Sequence, residues 1–208
     1  LPNYITQPKE GCLAIAGPVL NGSCKLTNLN WLIEEDKLCK AAKLNSLEII
    51  NDVSALIYGI PYFTKDQYVQ IQSSISNNLN NKTIAVIASG TGLGMSKGLL
   101  ASSNISTYPS EGGHREFAAR TEKEWKLIQW LKEDLNLQRI SIERIVSGTG
   151  LGHIACWRLS QTDAITHPLK KASEDWRQKN ANYFDLPSLV SDAANKGDEI
   201  MKEVQEIW

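Results

Sequence analysis

The polar pair Asn51 and Asp52 is the first candidate for chemistry in this chain. It follows residues 47–50, a short apolar segment ending in two isoleucines that is typical of a β-strand. A carboxylate at the C-terminal end of a buried strand in an α/β sheet lies where ligands usually bind, and Asp52 could there accept a proton from a hydroxyl group. The competing interpretation is structural, because an Asn-Asp pair after a strand also caps helices and forms turns.

Glu111 and His114 form a second candidate, since they bracket two glycines. Glycines let the backbone fold tightly, so a carboxylate and an imidazole with different donor and acceptor character could converge on a small space. A metal site and a polar surface loop are competing interpretations, but no second histidine and no cysteine lies nearby to complete a metal-ligand set. Glu143, which precedes Arg144, is a third candidate, although by itself it indicates a surface salt bridge.

The hexapeptide Ser-Gly-Thr-Gly-Leu-Gly occurs twice, at 89–94 and at 147–152. Each copy follows an apolar, β-branched run, and we predict a glycine-rich turn at both places. Such turns expose backbone N–H groups, because glycine lacks a Cβ and tolerates positive φ, and this suits phosphate binding. The alternative is a tight turn without a ligand. Neither copy has the Walker A pattern or fits the dinucleotide-binding fingerprint.

The elements that would position these residues alternate between strands and helices. The predicted strands are 12–16, 47–50, 83–88 and, as the returning strand of a hairpin, 95–100. The predicted helices are 30–41, 64–71, 121–135 with Thr121 as its cap, and most of the chain from 151 onward, with breaks at Pro168, Pro187 and Gly197. An amphipathic helix over 198–208 is expected to pack against the core. This alternation predicts an α/β fold.

The composition excludes several classes of protein. With 208 residues and 42% hydrophobic content, the chain can bury a substantial core in one domain or two small ones. Its 22 Lys and Arg against 23 Asp and Glu form no long runs, so neither a nucleic acid nor an anionic membrane is an expected partner. The apolar runs are far shorter than the roughly 20 residues of a membrane-spanning helix. Without a signal peptide or a Cys-x-x-Cys pair, we expect a soluble protein with four reduced cysteines.

The order and spacing of these segments resemble the bacterial-type glucokinase family. The resemblance rests on Leu-Glu-Ile-Ile-Asn-Asp at 47–52, Ala-Ser-Gly-Thr-Gly-Leu-Gly at 88–94, Glu-Gly-Gly-His-Arg-Glu-Phe-Ala at 111–118 and Glu-Arg-Ile-Val-Ser-Gly at 143–148. Gly-Pro-Val at 17–19, Asn-Gly at 21–22 and Thr-Asn-Leu-Asn-Trp at 27–31 are similar to the sugar-side segment that precedes these motifs in the family. The match covers nearly all of residues 11–155.

The resemblance implies an actin-like ATPase fold of the hexokinase type, ribonuclease-H-like, with two α/β domains and the active site in the cleft between them. It implies a cytoplasmic enzyme that transfers a phosphoryl group from ATP, with Mg²⁺, to the 6-hydroxyl of glucose in the first step of glycolysis. Asp52 would be the general base that takes the hydroxyl proton. The implied sugar-binding residues are Asn51, Glu111, His114 and Glu143, and the implied second phosphate loop contains Gly90, Thr91, Gly92 and Gly94.

The sequence departs from the family pattern at its ends and at one internal segment. The first phosphate motif, an Asp followed by a double glycine and Thr, has no counterpart upstream of residue 11, and the adenosine-side double glycine is not found before Trp208. The zinc-binding cysteines of the related ROK sugar kinases are replaced by other residues at 116–119, which favours the non-ROK branch. We therefore expect an incomplete fold that lacks both ends, with 1–62 as a remnant of the small N-terminal domain and 63–208 as most of the large domain.

Two other functions are compatible with parts of the sequence, and one assembly is an option. An incomplete chain of this kind could be a non-catalytic sugar-binding fragment, whose glucose affinity would not respond to ATP. The glycine turns alone would suggest a nucleotide-dependent oxidoreductase, which we discount because no acidic residue lies suitably beyond a Gly-x-Gly-x-x-Gly turn. A homodimer is one option for the assembly.

Overall fold

The computed structural model describes residues 8–26, 29–72, 82–101, 104–179 and 185–208. The strands are β1 (Glu10–Ile15), β2 (Val19–Leu20), β3 (Ser23–Lys25), β4 (Leu32–Glu34), β5 (Ser46–Asn51), β6 (Lys82–Ser89), β7 (Leu93–Ala101) and β8 (Asn104–Ser110). The α-helices are α1 (Glu35–Ala42), α2 (Asp52–Gly59), α3 (Glu122–Asp134), α4 (Gly148–Leu159), α5 (Lys170–Gln178), α6 (Leu186–Asn195) and α7 (Glu199–Ile207).

The chain divides into two compact units. Unit 1 contains Leu1–Ile87 and Met95–Ser110, and unit 2 contains Ala88–Gly94 and Glu111–Trp208. The division of the sequence into domains at 62 and 63 stays a prediction. The predicted strands at 12–16, 47–50, 83–88 and 95–100 correspond to β1, β5, β6 and β7.

Two small sheets hold the start of unit 1. β1 pairs in parallel with β5, and β2, β3 and β4 form an antiparallel sheet in that order. Because parallel strands need a crossover connection, the chain passes through β2, β3, β4 and α1 between β1 and β5. Ile15, Cys24 and Ile49 meet in a buried cluster that links the two sheets.

α2 packs against the third sheet, whose order is β6, β7, β8, with β7 antiparallel to β8. Ile57 of α2 is fully buried, and a Cβ added at Gly98 of β7 would lie 2.6 Å from its Cγ2 atom. The hydroxyl oxygens of Ser54 and Ser96 are 3.0 Å apart in the same buried contact. These contacts fix α2, and with it the residues at its N-terminus.

Two predicted helices in unit 1 are wrong in part. The helix predicted over 30–41 begins only at Glu35, because Leu32–Glu34 instead pairs with β3, and the Glu35 N–H donates to the Gly22 carbonyl. The helix predicted over 64–71 is a single 3₁₀ turn, Lys65–Gln67. Val69 and Ile71 are almost fully exposed there, so these two side chains bury little apolar surface that would support a longer helix.

The core of unit 2 surrounds α4, ten of whose residues are buried. α4 packs against α3, α5, α6 and α7, and a helix that is buried on all sides is typical of such a central position. The predicted α3 and the predicted packing of the last helix are confirmed. The Thr121 hydroxyl accepts the Glu124 N–H at the start of α3, and α7 buries Met201 and Val204 in the core.

The cysteines are free thiols, as predicted, and Cys24 and Cys156 are buried. Burial raises the pKa of Cys156 to about 12, so this thiol stays protonated at neutral pH. No helix within the described ranges is long and apolar enough to cross a membrane.

Candidate active site

Asn51 and Asp52 lie where β5 passes into α2, in unit 1. Asn51 is the N-cap of α2, and its Oδ1 atom accepts the N–H groups of Val53 and Ser54, each at 3.1 Å. Its Nδ2 atom donates to the Gly17 carbonyl at 3.2 Å and to Asp52 Oδ1 at 3.1 Å. These four hydrogen bonds use the full donor and acceptor capacity of an asparagine amide. A sugar hydroxyl could bind Asn51 only by replacing one of them.

Asp52 is the first residue of α2 and is exposed to solvent. Its Oδ1 atom accepts the Asn51 amide and, at 2.9 Å, the Val53 N–H, whereas Oδ2 makes no hydrogen bond to any described residue. The Asn51 amide thereby fixes the rotamer of the carboxyl group and leaves one oxygen open to a ligand. Asn51 therefore caps the helix, and Asp52 presents an accessible carboxylate oxygen that could accept a proton.

Glu111, His114 and Glu143 converge in unit 2. The segment Gly112–His114 forms a 3₁₀ turn that places His114 Nε2 3.4 Å from Glu111 Oε2 and His114 Nδ1 4.0 Å from Glu143 Oε1. The His114 and Glu111 side chains are 58% and 68% exposed, so the cluster is open to a ligand. Two carboxylates and an imidazole supply both acceptors and a donor for hydroxyl groups. Within the part of the chain that the structure describes, no group of three or more side chains is arranged to hold a metal ion.

The first hexapeptide copy is a turn between β6 and β7, as predicted. The Gly90 N–H donates to the Gly92 carbonyl at 2.9 Å, and Glu143 Oε2 accepts the Leu93 N–H at 3.0 Å. Glycine is required at Gly113, because a Cβ there would lie 2.3 Å from the Leu93 carbonyl oxygen. A Cβ at Gly92 would lie 2.6 Å from Glu143 Oε2 and would displace the end of that side chain. The turn is thus held by the same segments that carry the carboxylates and the imidazole.

The second copy is not the predicted turn, because residues from Gly148 onward form the first turns of α4. The Ser147 hydroxyl caps the helix by accepting the Gly150 N–H at 2.9 Å. A Cβ at Gly150 would lie 2.1 Å from the Ile145 carbonyl oxygen, so glycine serves close packing at this position. The apolar residues that follow continue the helix into the core.

The two copies contact each other. The Gly148 N–H donates to the Gly90 carbonyl at 2.7 Å, and the Thr149 hydroxyl donates to the Thr91 carbonyl at 2.8 Å. A cavity of about 830 Å³ opens beside this junction, and its lining includes Gly90, Thr91, Arg144, Thr149, His153 and Trp176. A Cβ at Gly90 would meet no atom within 4 Å, so this side of the turn is open.

Sequence reasoning missed the cavity residues Thr149, His153 and Trp176. Thr149 and His153 are four residues apart and share one face of α4, a signal that becomes readable once the second hexapeptide is recognised as a helix start. Trp176 comes from α5, and only tertiary packing brings it to the cavity.

The mixed α/β architecture, with a glycine turn beside a carboxylate–imidazole cluster, is consistent with a hexokinase-type fold. The solved structure of a glucokinase from an Antarctic psychrotroph matches 96% of this chain and 56% of its own, with a TM-score of 0.69 at 29% identity. The glucokinase of Balamuthia mandrillaris, solved in complex with glucose, matches with a TM-score of 0.69 at 23% identity, over 93% of this chain and 55% of its own, and supports the fold alone. The predicted fold class is confirmed.

The family model described as Glucokinase matches residues 2–208, and the chain belongs to the glucokinase family. The glucokinase of Trichormus variabilis is 33% identical over 205 residues, which cover 97% of this chain and 59% of that protein. The Escherichia coli O1:K1 glucokinase is 32% identical over 151 residues, 73% of this chain and 46% of its own. The chain therefore spans less than two thirds of the length of these curated relatives.

Proposed function

We propose that this chain belongs to an enzyme that transfers a phosphoryl group from ATP to the 6-hydroxyl of glucose. The observation that carries the proposal is the double contact of Glu143. Its Oε1 atom faces His114, and its Oε2 atom holds the Leu93 N–H of the glycine turn. A single side chain thus joins a cluster suited to hydroxyl groups with a turn suited to phosphate, which is the pairing that a sugar kinase needs.

In this proposal the sugar is held by Glu111, His114 and Glu143, with Asn51 as a further ligand. Sugar hydroxyls both donate and accept hydrogen bonds, so carboxylates and an imidazole can fix their positions. Holding a hydroxyl in line with the phosphorus atom is the main contribution that phosphoryl transfer needs from a protein.

Asp52 is the proposed general base. Its Oδ1 atom is held by Asn51 and the Val53 N–H, so Oδ2 is presented in a fixed direction. A carboxylate in this role receives the hydroxyl proton as the new oxygen–phosphorus bond forms, and the proton remains on Asp52 until solvent removes it.

Gly90, Thr91, Gly92 and Gly94 are the proposed phosphate-binding residues. The open space at Gly90 is where a Cβ would project, so the backbone can approach a phosphate closely there. Mg²⁺ would neutralise charge on the phosphate oxygens of ATP. It is usually held by substrate phosphates and only one or two carboxylates, so this turn fits a Mg²⁺ ion carried by the nucleotide.

A cytoplasmic location accompanies this function in the proposal, because ATP is the phosphoryl donor. The homodimer option concerns the assembly alone, and light scattering on the purified chain tests it.

The test is a coupled assay of glucose phosphorylation by the 208-residue chain with MgATP, beside Asp52→Asn and the matched control Asp36→Asn. Asp36 is an exposed carboxylate in the first turn of α1. We expect turnover by the wild type and the control, and a loss of about 10²–10⁴-fold in kcat for Asp52→Asn.

A folded chain that binds glucose with an affinity independent of ATP, and that shows no turnover, would instead support the sugar-binding alternative. A folded chain that neither turns over nor binds glucose would exclude both functions.

A further inference from the structure

His153 is a buried imidazole in which one ring nitrogen is hydrogen-bonded and the other has no partner among the described residues. Its side chain lies on α4 with the residue only 5% exposed, and Nδ1 is 3.2 Å from the Arg144 carbonyl oxygen. A carbonyl oxygen can only accept, so Nδ1 must carry the proton in this contact. Burial, the largest influence, lowers the pKa of His153, so the ring is neutral at pH 7 and Nε2 is a hydrogen-bond acceptor.

The acceptor nitrogen Nε2 is available to a ligand in the cavity. Nε2 makes no hydrogen bond to any described residue, and it is not sealed off from the cavity that His153 lines. A neutral imidazole nitrogen that reaches the cavity can accept a hydrogen bond from a ligand there. Nε2 is therefore suited to a ligand that presents an N–H or O–H group.

An aromatic ring lies beside this acceptor. Trp176 meets the His153 ring edge-to-face, with centroids 5.4 Å apart and an angle of 73° between the rings. Its six-membered ring packs on Gly152, where a Cβ would lie 2.7 Å from Cζ2. A half-buried indole next to a polar atom is suited to a flat heteroaromatic ligand.

The spacing along α4 connects this place to the glycine turn. Gly148 is hydrogen-bonded to Gly90, and His153 lies five residues further along the helix. The rise of an α-helix over five residues is about 7.5 Å. A ribose separates the base from the phosphates of a nucleotide by a distance of this order. Gly148 and His153 both line the cavity.

Resting on the proposed function, we propose that His153 selects the nucleotide base by accepting a hydrogen bond from an exocyclic amino group at position 6 of a purine. Adenine presents such an amino group at this position, whereas hypoxanthine and guanine present a carbonyl oxygen that would face the lone pair of Nε2. His153 is thus a specificity-determining residue that favours adenine nucleotides over 6-oxopurine nucleotides.

The test is a calorimetric titration of the 208-residue chain with ADP and with IDP, for the wild type, His153→Phe and His153→Gln. We expect the wild type to bind ADP about tenfold more tightly than IDP, the ratio that one hydrogen bond to a buried acceptor provides. Phenylalanine removes the acceptor, so the ratio for His153→Phe should fall to about one. The glutamine amide can donate to the Arg144 carbonyl and still present its oxygen as an acceptor, so His153→Gln should keep the preference for ADP. Where phenylalanine prevents folding, His153→Leu removes the acceptor with a smaller side chain.

A wild-type ratio near one, or a ratio that the variant without the acceptor preserves, would overturn the inference. Glucose phosphorylation with ATP and with ITP separates this result from the proposed function. Equal rates with the two nucleotides would leave the kinase assignment standing and remove the role of His153. A folded chain that binds neither nucleotide would overturn the inference and the ATP site together.

Discussion

The Gly148 N–H donates a hydrogen bond of 2.7 Å to the Gly90 carbonyl and so joins the two copies of one hexapeptide. The copies have different conformations, since the first is a turn between strands and the second is the start of α4. Their contact places a helix N-terminus, which favours anions, beside the open side of a glycine turn. The repeat therefore contributes two different halves of one candidate phosphate-binding region.

Gly90 and Gly113 should respond differently to alanine. A Cβ at Gly90 meets nothing within 4 Å, so Gly90→Ala should change the free energy of unfolding by no more than about 0.5 kcal/mol, while a methyl group in the open space weakens ADP binding about tenfold. A Cβ at Gly113 would lie 2.3 Å from the Leu93 carbonyl oxygen, so Gly113→Ala should destabilise the chain by about 1–3 kcal/mol. Thermal unfolding and ADP titration measure both effects. Unchanged ADP affinity in Gly90→Ala would remove the phosphate from this turn.

Glu143 should affect both ligands, whereas Glu111 should affect only one. Glu143→Ala removes the acceptor of the Leu93 N–H as well as a carboxylate of the cluster, so we expect weaker binding of glucose and of ADP, each by about tenfold. The carboxylate of Glu111 contacts His114 and makes no hydrogen bond to the described turn, so Glu111→Ala should weaken glucose binding alone. Calorimetry with each ligand distinguishes the two variants. The same pattern of losses in both would contradict the coupling through Glu143.

Much of the candidate site could be predicted from local sequence, and the rest depends on contacts between distant residues. The strand before Asn51, the turn at Gly90 and the capped helix after Thr121 each have their signals within a few residues. The hexapeptide at 147–152 has the same residues as the turn, and only the apolar segment after it makes it a helix. Likewise, Leu32–Glu34 forms a strand because β3 is available as its partner, which no local periodicity reveals.

Asn51 should act on stability and on turnover together. Asn51→Ala removes the cap of α2 and the contacts with Gly17 and Asp52, so we expect a loss of about 0.5–2 kcal/mol in the free energy of unfolding. Asp52 would also lose the amide that fixes Oδ1, and kcat should fall. Thr64→Ala is the matched control, because it removes the cap of a surface 3₁₀ turn in the same unit. Normal turnover in a folded Asn51→Ala chain would show that Asp52 needs no such support.

His153 should make the free energy of unfolding depend on pH below the ordinary histidine value of about 6.5. Its pKa is lowered in the folded chain, chiefly by burial, so below the ordinary value of about 6.5 the unfolded chain binds the additional proton. The stabilisation is thus complete above that value and is lost as the pH falls through the folded pKa, by at most about 1.4 kcal/mol per pH unit. The hydrogen bond from Arg120 lowers the pKa of Glu124, and the hydrogen bond from Lys123 lowers the pKa of Glu203, in each case against a smaller opposing effect of burial. The stabilisation from these two carboxylates is therefore lost only at more acidic pH.

Urea unfolding of the wild type and of His153→Gln between pH 7 and pH 5 measures this dependence. Glutamine keeps a donor for the Arg144 carbonyl but cannot titrate, so its stability curve should be flatter than that of the wild type over this interval. Parallel curves for the two proteins would mean that His153 takes up its proton in the folded chain as readily as in the unfolded one, and that Nε2 is then a donor rather than an acceptor at mildly acidic pH.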